Sequence, residues 1–193
     1  MQYFKNENGI IATNYKVMFT TLSKQENLTY LDKDLIGDNK VIVLCRNPYN
    51  RLESFFKNKL IKELENKQFT RLYKIFYPEL RLNNHDSIDR KYQVFKALTF
   101  NRFITTLRNT HNKNRHLYTQ TKFIDDISDY EFLKIEDKDE LSKLESDFGL
   151  DFSEKHNNTD NITSKDLSWN REMYDIVNDV YNEDFETFNY SKK

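Results

Sequence analysis

Arg46, Asn47, Pro48, Arg51 and Ser54 set two guanidiniums, a capping amide and a hydroxyl around one short stretch of chain. The apolar run Val41-Ile-Val-Leu-Cys45 before them reads as a buried strand. Arg46 then falls at the strand's carboxyl end, where open α/β sheets place their ligand sites. Asn47 suits a helix N-cap, and Pro48 the first helical position, whose N–H would be unpaired anyway. Ser54 follows about two helical turns on, roughly on the side of Asn47 and Arg51. A fixed guanidinium, a helix N-terminus and a hydroxyl together suit an anion such as a phosphate group. The same residues also fit an ordinary strand-to-helix connection with surface arginines.

A second set lies upstream, in Tyr15-Lys-Val-Met-Phe-Thr-Thr-Leu22. Here a lysine and two hydroxyls follow the apolar run Gly9-Ile-Ile-Ala-Thr13, which reads as a strand. The Arg46–Ser54 element closely resembles the 3′-phosphate motif of sulfotransferases that use 3′-phosphoadenosine-5′-phosphosulfate (PAPS). The likeness is to the carbohydrate-type, family 2-like branch, whose motif runs arginine, polar residue, proline, tyrosine, any residue, arginine, then serine three further on. Arg46, Asn47, Pro48, Tyr49, Asn50, Arg51 and Ser54 match it. The resemblance implies that Arg46 and Ser54 hold the nucleotide's 3′-phosphate. It implies that Lys16, Thr20 and Thr21 hold the phosphosulfate, with Lys16 stabilising charge on the leaving phosphate. No metal is implied. The phosphosulfate loop departs from the family pattern: Tyr15 replaces a proline, and Met18 and Phe19 stand where glycine and a small polar residue are expected. Glycine would let the backbone approach a phosphate and adopt conformations other residues resist.

Three later segments are similar to the family in the right order. Asn114-Arg-His-Leu-Tyr-Thr-Gln120 matches a histidine-before-glutamine segment near acceptor and nucleotide. Phe132-Leu-Lys-Ile-Glu136 matches a late strand ending in glutamate. His156-Asn-Asn-Thr159 and Val180–Tyr190 match the closing loop and C-terminal helix. Transfer to a hydroxyl needs a general base, and His116 is the first candidate, because neutral imidazole accepts a proton near pH 7. His85 lies among turn residues, and Glu53 is on a helix, where solvation is the usual fate of a glutamate. The base stays open. Arg71, Arg81, Arg90, Arg102, Arg108 and Arg115 offer an electropositive groove for an acidic glycan or, equally, solvated charges. Tyr73, Tyr77 and Tyr118 offer sugar-stacking rings or core.

The elements that must carry these residues read as helices alternating with strands, hence a parallel sheet with helices packed on it. The reading is α/β: a P-loop-like, three-layer, helix-rich fold with a small parallel sheet, matching the family. Helices are expected from about Tyr15 to Glu26, Pro48 to about Asn66, Thr70 to Phe76, Tyr92 to Leu107, Asp137 to Phe148 and Leu167 to Phe188. In these, Met18, Phe19, Leu22, Leu52, Phe55, Phe56, Leu60, Leu64, Phe95, Leu98, Phe103, Leu107, Tyr174, Val177 and Tyr181 are expected to face inward. Glu131–Ile135 alternates like an edge strand, Gly149 suits a helix C-cap, and Arg108–Arg115 reads as a basic loop.

Composition narrows the class. A net charge of −1 excludes a global basic field directed at nucleic acid. With 15 Phe and 12 Tyr, the chain has enough aromatic surface to build a core despite its polar composition. Cys45 lies in the apolar strand and reads as a small buried hydrophobe. The expectation is a single domain over residues 1–193, cytoplasmic, without membrane span or signal pattern. It is read as transferring a sulfuryl group from PAPS to a hydroxyl acceptor of glycan type, with 3′,5′-adenosine bisphosphate (PAP) as product. The alternative is an inactive relative that keeps the fold and binds a nucleotide, glycan or protein partner. A kinase-like nucleotide enzyme ranks low, since no Gly-x-x-x-x-Gly-Lys-Ser/Thr loop occurs.

Overall fold

The structure, a computed structural model, describes residues 1–62, 64, 69–124, 130–153 and 167–193. Alternation of apolar side chains builds a five-stranded sheet from β1 (Gln2–Asn6), β2 (Gly9–Thr13), β3 (Thr29–Leu31), β4 (Val41–Cys45) and β5 (Tyr130–Lys134), in the order β3-β1-β2-β4-β5. The β2–β4 and β4–β5 pairs are parallel, as the helix-and-strand alternation requires. Two antiparallel strands, β1 and β3, extend that parallel core, so the sheet is mixed where a parallel one was expected. Tyr3 and Phe4 are both buried, one on each covered face, so β1 lacks the alternation that marks a half-exposed strand.

One face of the sheet (Phe4, Ile11, Leu44, Leu133) packs on Leu22, Leu144 and Phe148. The opposite face carries Tyr3, Ile10, Ala12, Val41 and Val43. Helices α1 (Phe19–Leu22), α2 (Pro48–Phe55), α3 (Arg71–Lys74), α4 (Ile88–Lys96), α5 (Phe100–Thr110), α6 (Lys138–Phe148), α7 (Arg171–Val180) and α8 (Asn182–Thr187) surround it. After α2 the chain winds on as a π-helical segment, Phe56–Ile61. Of the inward positions expected, Leu22, Val177, Tyr181 and the nine from Leu52 to Leu107 are buried, Met18 and Tyr174 are half-buried, and Phe19 is exposed.

Several expected helices are shorter or broken. The first covers only Phe19–Leu22, with Leu22 buried and Phe19 40% exposed. The Tyr92–Leu107 stretch is two helices, because Thr99 Oγ1 accepts the Arg102 N–H at 3.2 Å and so caps a new start. Arg108 is still helical rather than in a loop; Thr106 and Thr110 satisfy their hydroxyls on the carbonyls of Phe103 and Thr106. The last helix breaks at Tyr181 (φ −111°, ψ 25°). By contrast α6 has the expected bounds: Asp137 caps it through the Asp139 and Glu140 N–H groups, and Gly149 ends it at φ 61°. Cys45 is fully buried, and burial pushes its thiol up to about 12, so it packs as a hydrophobe. Among the described residues no helix is long and apolar enough to cross a membrane.

The β1–β2 hairpin turns through Glu7 and Asn8 and closes on Gly9 at φ 147°. A Cβ there would stand 3.1 Å from Phe148 Cζ. Gly9→Ala is therefore expected to destabilise the fold by about 1–3 kcal/mol, the usual cost of a strained backbone site. Chemical denaturation checks it; an unchanged midpoint would contradict this packing.

Candidate anion and transfer site

The site forms where β2 and β4 end side by side. Asn47 caps α2 as expected, its Oδ1 accepting the Tyr49 N–H at 3.0 Å, with Pro48 at the first position. Arg46 therefore leaves the sheet at a fixed point. Gln120 fixes it further: its Oε1 accepts the Arg46 N–H at 3.0 Å, and its Nε2 donates to the Arg46 carbonyl at 2.7 Å. The side chain turns toward the loop after β2, where Nη1 donates to the Lys16 carbonyl at 3.2 Å. Its Nε is buried without a partner. Burial lowers the guanidinium's pKa, an effect opposed by Glu136 and then Glu53.

The loop after β2 holds Lys16 at φ 70° and Met18 at φ 50°. Met18 thus takes the left-handed conformation for which glycine is the default residue. Phe19 packs its ring on Phe4 at 5.9 Å, and Met18 joins the same apolar cluster. Lys16 is half-buried, Thr20 exposed and Thr21 half-buried. Among the described residues no hydrogen bond joins either threonine hydroxyl to Arg46 or His116. Ser54 is half-buried on α2 and accepts from Asn58 Nδ2 at 3.4 Å.

His116 packs against the loop after β2. Its ring meets Tyr15 edge-on at 4.6 Å, and Nδ1 is buried without a partner. Burial pulls its pKa down to about 4, helped by the positive charges of Lys59, Lys16, Arg51 and Arg115. The imidazole is consequently neutral at pH 7, ready to accept a proton though a weak base. Glu53, expected to be solvated, is half-buried and accepts the Trp169 Nε1–H at 2.8 Å. His85 is exposed.

Four further residues carry the site in ways the sequence did not assign: Arg51 stands there with the anion-binding side chains or the surface arginines, and Gln120, Glu136 and Asp184 only within segments that match the family. Arg51 is 2% exposed on the inward stripe of α2 and bonds the carbonyls of Tyr15, His116 and Tyr118. Asp184, fully buried, faces it at 4.0 Å and receives Thr121 and Gln120. Glu136 accepts the Asn47 N–H at 2.9 Å, the Asn50 amide at 3.1 Å and the Tyr190 hydroxyl at 2.8 Å, so it closes the start of α2. Gln120 is the fourth. The available signal was a lone arginine within a helical apolar stripe, and the order of the later segments.

The arginines considered for an acidic glycan are Arg71, Arg81, Arg90, Arg102, Arg108 and Arg115. All six are exposed; Arg90 pairs with Asp86 at 3.3 Å, Arg102 donates to the Glu79 carbonyl, and Arg115 donates to Tyr15 Oη at 2.7 Å. Tyr73 and Tyr77 are core residues, and the Tyr118 ring carries the Lys122 ammonium at 3.9 Å. The His156–Thr159 segment lies outside the described residues. Among the described residues no cluster of three or more His, Cys, Asp or Glu could hold a metal.

A family model described as the sulfotransferase family matches residues 5–191. No curated protein and no solved structure matches the chain.

The buried imidazole has a consequence for stability. In the folded chain His116 protonates only near pH 4, against 6.5 for the ordinary group. The unfolded state therefore takes the proton first, and stability is lost as pH falls from about 6.5 toward 4. Denaturation across that range should show the loss, and His116→Phe should remove its share. A slope identical in both proteins would contradict the burial.

Proposed function

The chain belongs to the sulfotransferase family, and from that premise we propose that it transfers a sulfuryl group from PAPS to a carbohydrate hydroxyl. The observation that carries the reading is the Arg46 Nη1 bond to the Lys16 carbonyl. It joins, across 30 residues of sequence, the two elements that the family motifs assign to the two ends of the nucleotide. The unpartnered, buried Arg46 Nε is a donor that a phosphate oxygen would satisfy. That supports Arg46 as a 3′-phosphate ligand; Ser54, on α2, joins it by its place in the family motif.

PAPS, when bound, supplies the activated sulfuryl group and leaves as PAP. Lys16 is the residue of the β2 loop to set positive charge beside the departing phosphate, with the Thr20 and Thr21 hydroxyls as donors. His116, neutral at pH 7, is the group to take the acceptor's proton on a ring nitrogen. The left-handed Met18 supports a loop that keeps the required backbone shape without glycine. The substitutions at Met18 and Phe19 favour a second reading, a relative that binds nucleotide without turnover. Transfer of labelled sulfate from PAPS by the unmodified protein would end that second reading. Turnover gained only in Met18→Gly/Phe19→Ser would support it.

Arg46→Ala is expected to weaken PAP binding by roughly 1.5–3 kcal/mol, tenfold to 150-fold, the worth of a charge-assisted hydrogen bond. Titration calorimetry reads it. Affinity equal to the parent's would remove Arg46 from the nucleotide site and, with it, the main support for the reaction.

A further inference from the structure

Arg51 belongs to the motif that Arg46 opens, yet its guanidinium is turned wholly to protein. Nε donates to the Tyr15 carbonyl at 3.2 Å, and Nη2 to the carbonyls of Tyr118 at 2.7 Å and His116 at 3.4 Å. Between those last two, the Leu117 carbonyl accepts the Tyr181 hydroxyl at 2.7 Å. Three successive carbonyls of one loop are thus held from within. Asp184 holds the loop's far end through the Thr121 N–H at 3.0 Å, the Thr121 hydroxyl at 3.3 Å and Gln120 Nε2 at 3.3 Å.

The two loops joined in this way carry Lys16 and His116. No strand pairing ties one to the other. One outer contact is Arg115 on Tyr15 Oη at 2.7 Å, at an exposed side chain that solvent can replace. A second tie runs through Arg46, which donates to the Lys16 carbonyl and is gripped by Gln120. The fork of Arg51, 2% exposed, bonds the backbone of both loops directly. A planar guanidinium sends donors in several fixed directions at once, which the single nitrogen of a lysine does not.

We infer that Arg51 is a positioning residue, which sets the distance between the Lys16 loop and the His116 loop by bonding backbone carbonyls of both. Its geometry stands without the reaction; its effect on turnover rests on the sulfotransfer reading. Removing Arg51 alone leaves Asp184 buried without its ion partner, which destabilises; also changing Asp184 to asparagine removes that charge and keeps an oxygen to accept the Thr121 N–H.

The test compares Arg51→Met, Arg51→Met/Asp184→Asn and Arg51→Lys with the parent. Denaturation, PAP affinity, turnover with PAPS, and the nuclear Overhauser contact between the Tyr15 and His116 rings are measured. Arg51→Met should lose stability and the double variant should regain it. The double variant and Arg51→Lys should bind PAP within about tenfold of the parent, yet lose the ring contact and turn over about 100-fold more slowly, the usual cost of a slight misplacement. A folded variant without the guanidinium that keeps both the ring contact and the parent's turnover would overturn the inference. A parent that never turns over PAPS would count against the reaction alone, since the ring contact still reports whether Arg51 spaces the loops.

Discussion

A permanently charged guanidinium sits inside this protein, and that constraint organises the rest. Arg51 is 2% exposed and its partner Asp184 is fully buried. Burial lowers the pKa of the arginine and raises that of the aspartate, so on each group desolvation outweighs their mutual attraction at 4.0 Å. Such a pair adds little net stability but tolerates few geometries. Its donors must be met by carbonyls, and the carbonyls available belong to the two loops that carry Lys16 and His116. The chain is thereby committed to bringing residues 15, 116, 118 and 184 to one point. Arg46, Lys16 and His116 then follow as neighbours.

The turn that carries Arg46 was legible because local rules agree there. A buried strand, an arginine at its end, a capping asparagine and a helix-opening proline each restrict the backbone in the same sense. The structure bears out that turn, and it brings Arg46 to the Lys16 loop. The rest of the site depends on residues that meet only in space. Gln120 and Arg46 are 74 positions apart, and Glu136 and Asn47 are 89 apart. No local propensity records such meetings. The fate of Glu53 was misjudged for the same reason, since Trp169 lies 116 residues away.

For the fold, period and caps sufficed where one element decides its own limits. Asp137 and Gly149 bound α6 at both ends, and the Leu52–Leu64 stripe is buried throughout. They failed where tertiary contacts cut across the period. Thr99 starts a new helix within an unbroken apolar stripe, and Tyr181 leaves the helix while its hydroxyl reaches Leu117. The edge strand β3, three residues long, is too short for any periodic signal. Strand β1 is hidden because both of its faces are covered.

The account stands or falls on whether Arg46 and its surroundings recognise a nucleotide through its 3′-phosphate. Calorimetric titration of the unmodified protein with PAP, set against adenosine 5′-monophosphate, decides it most directly. The account predicts binding of PAP and a much weaker response to the monophosphate. Equal binding of the two, or none by either, would contradict it.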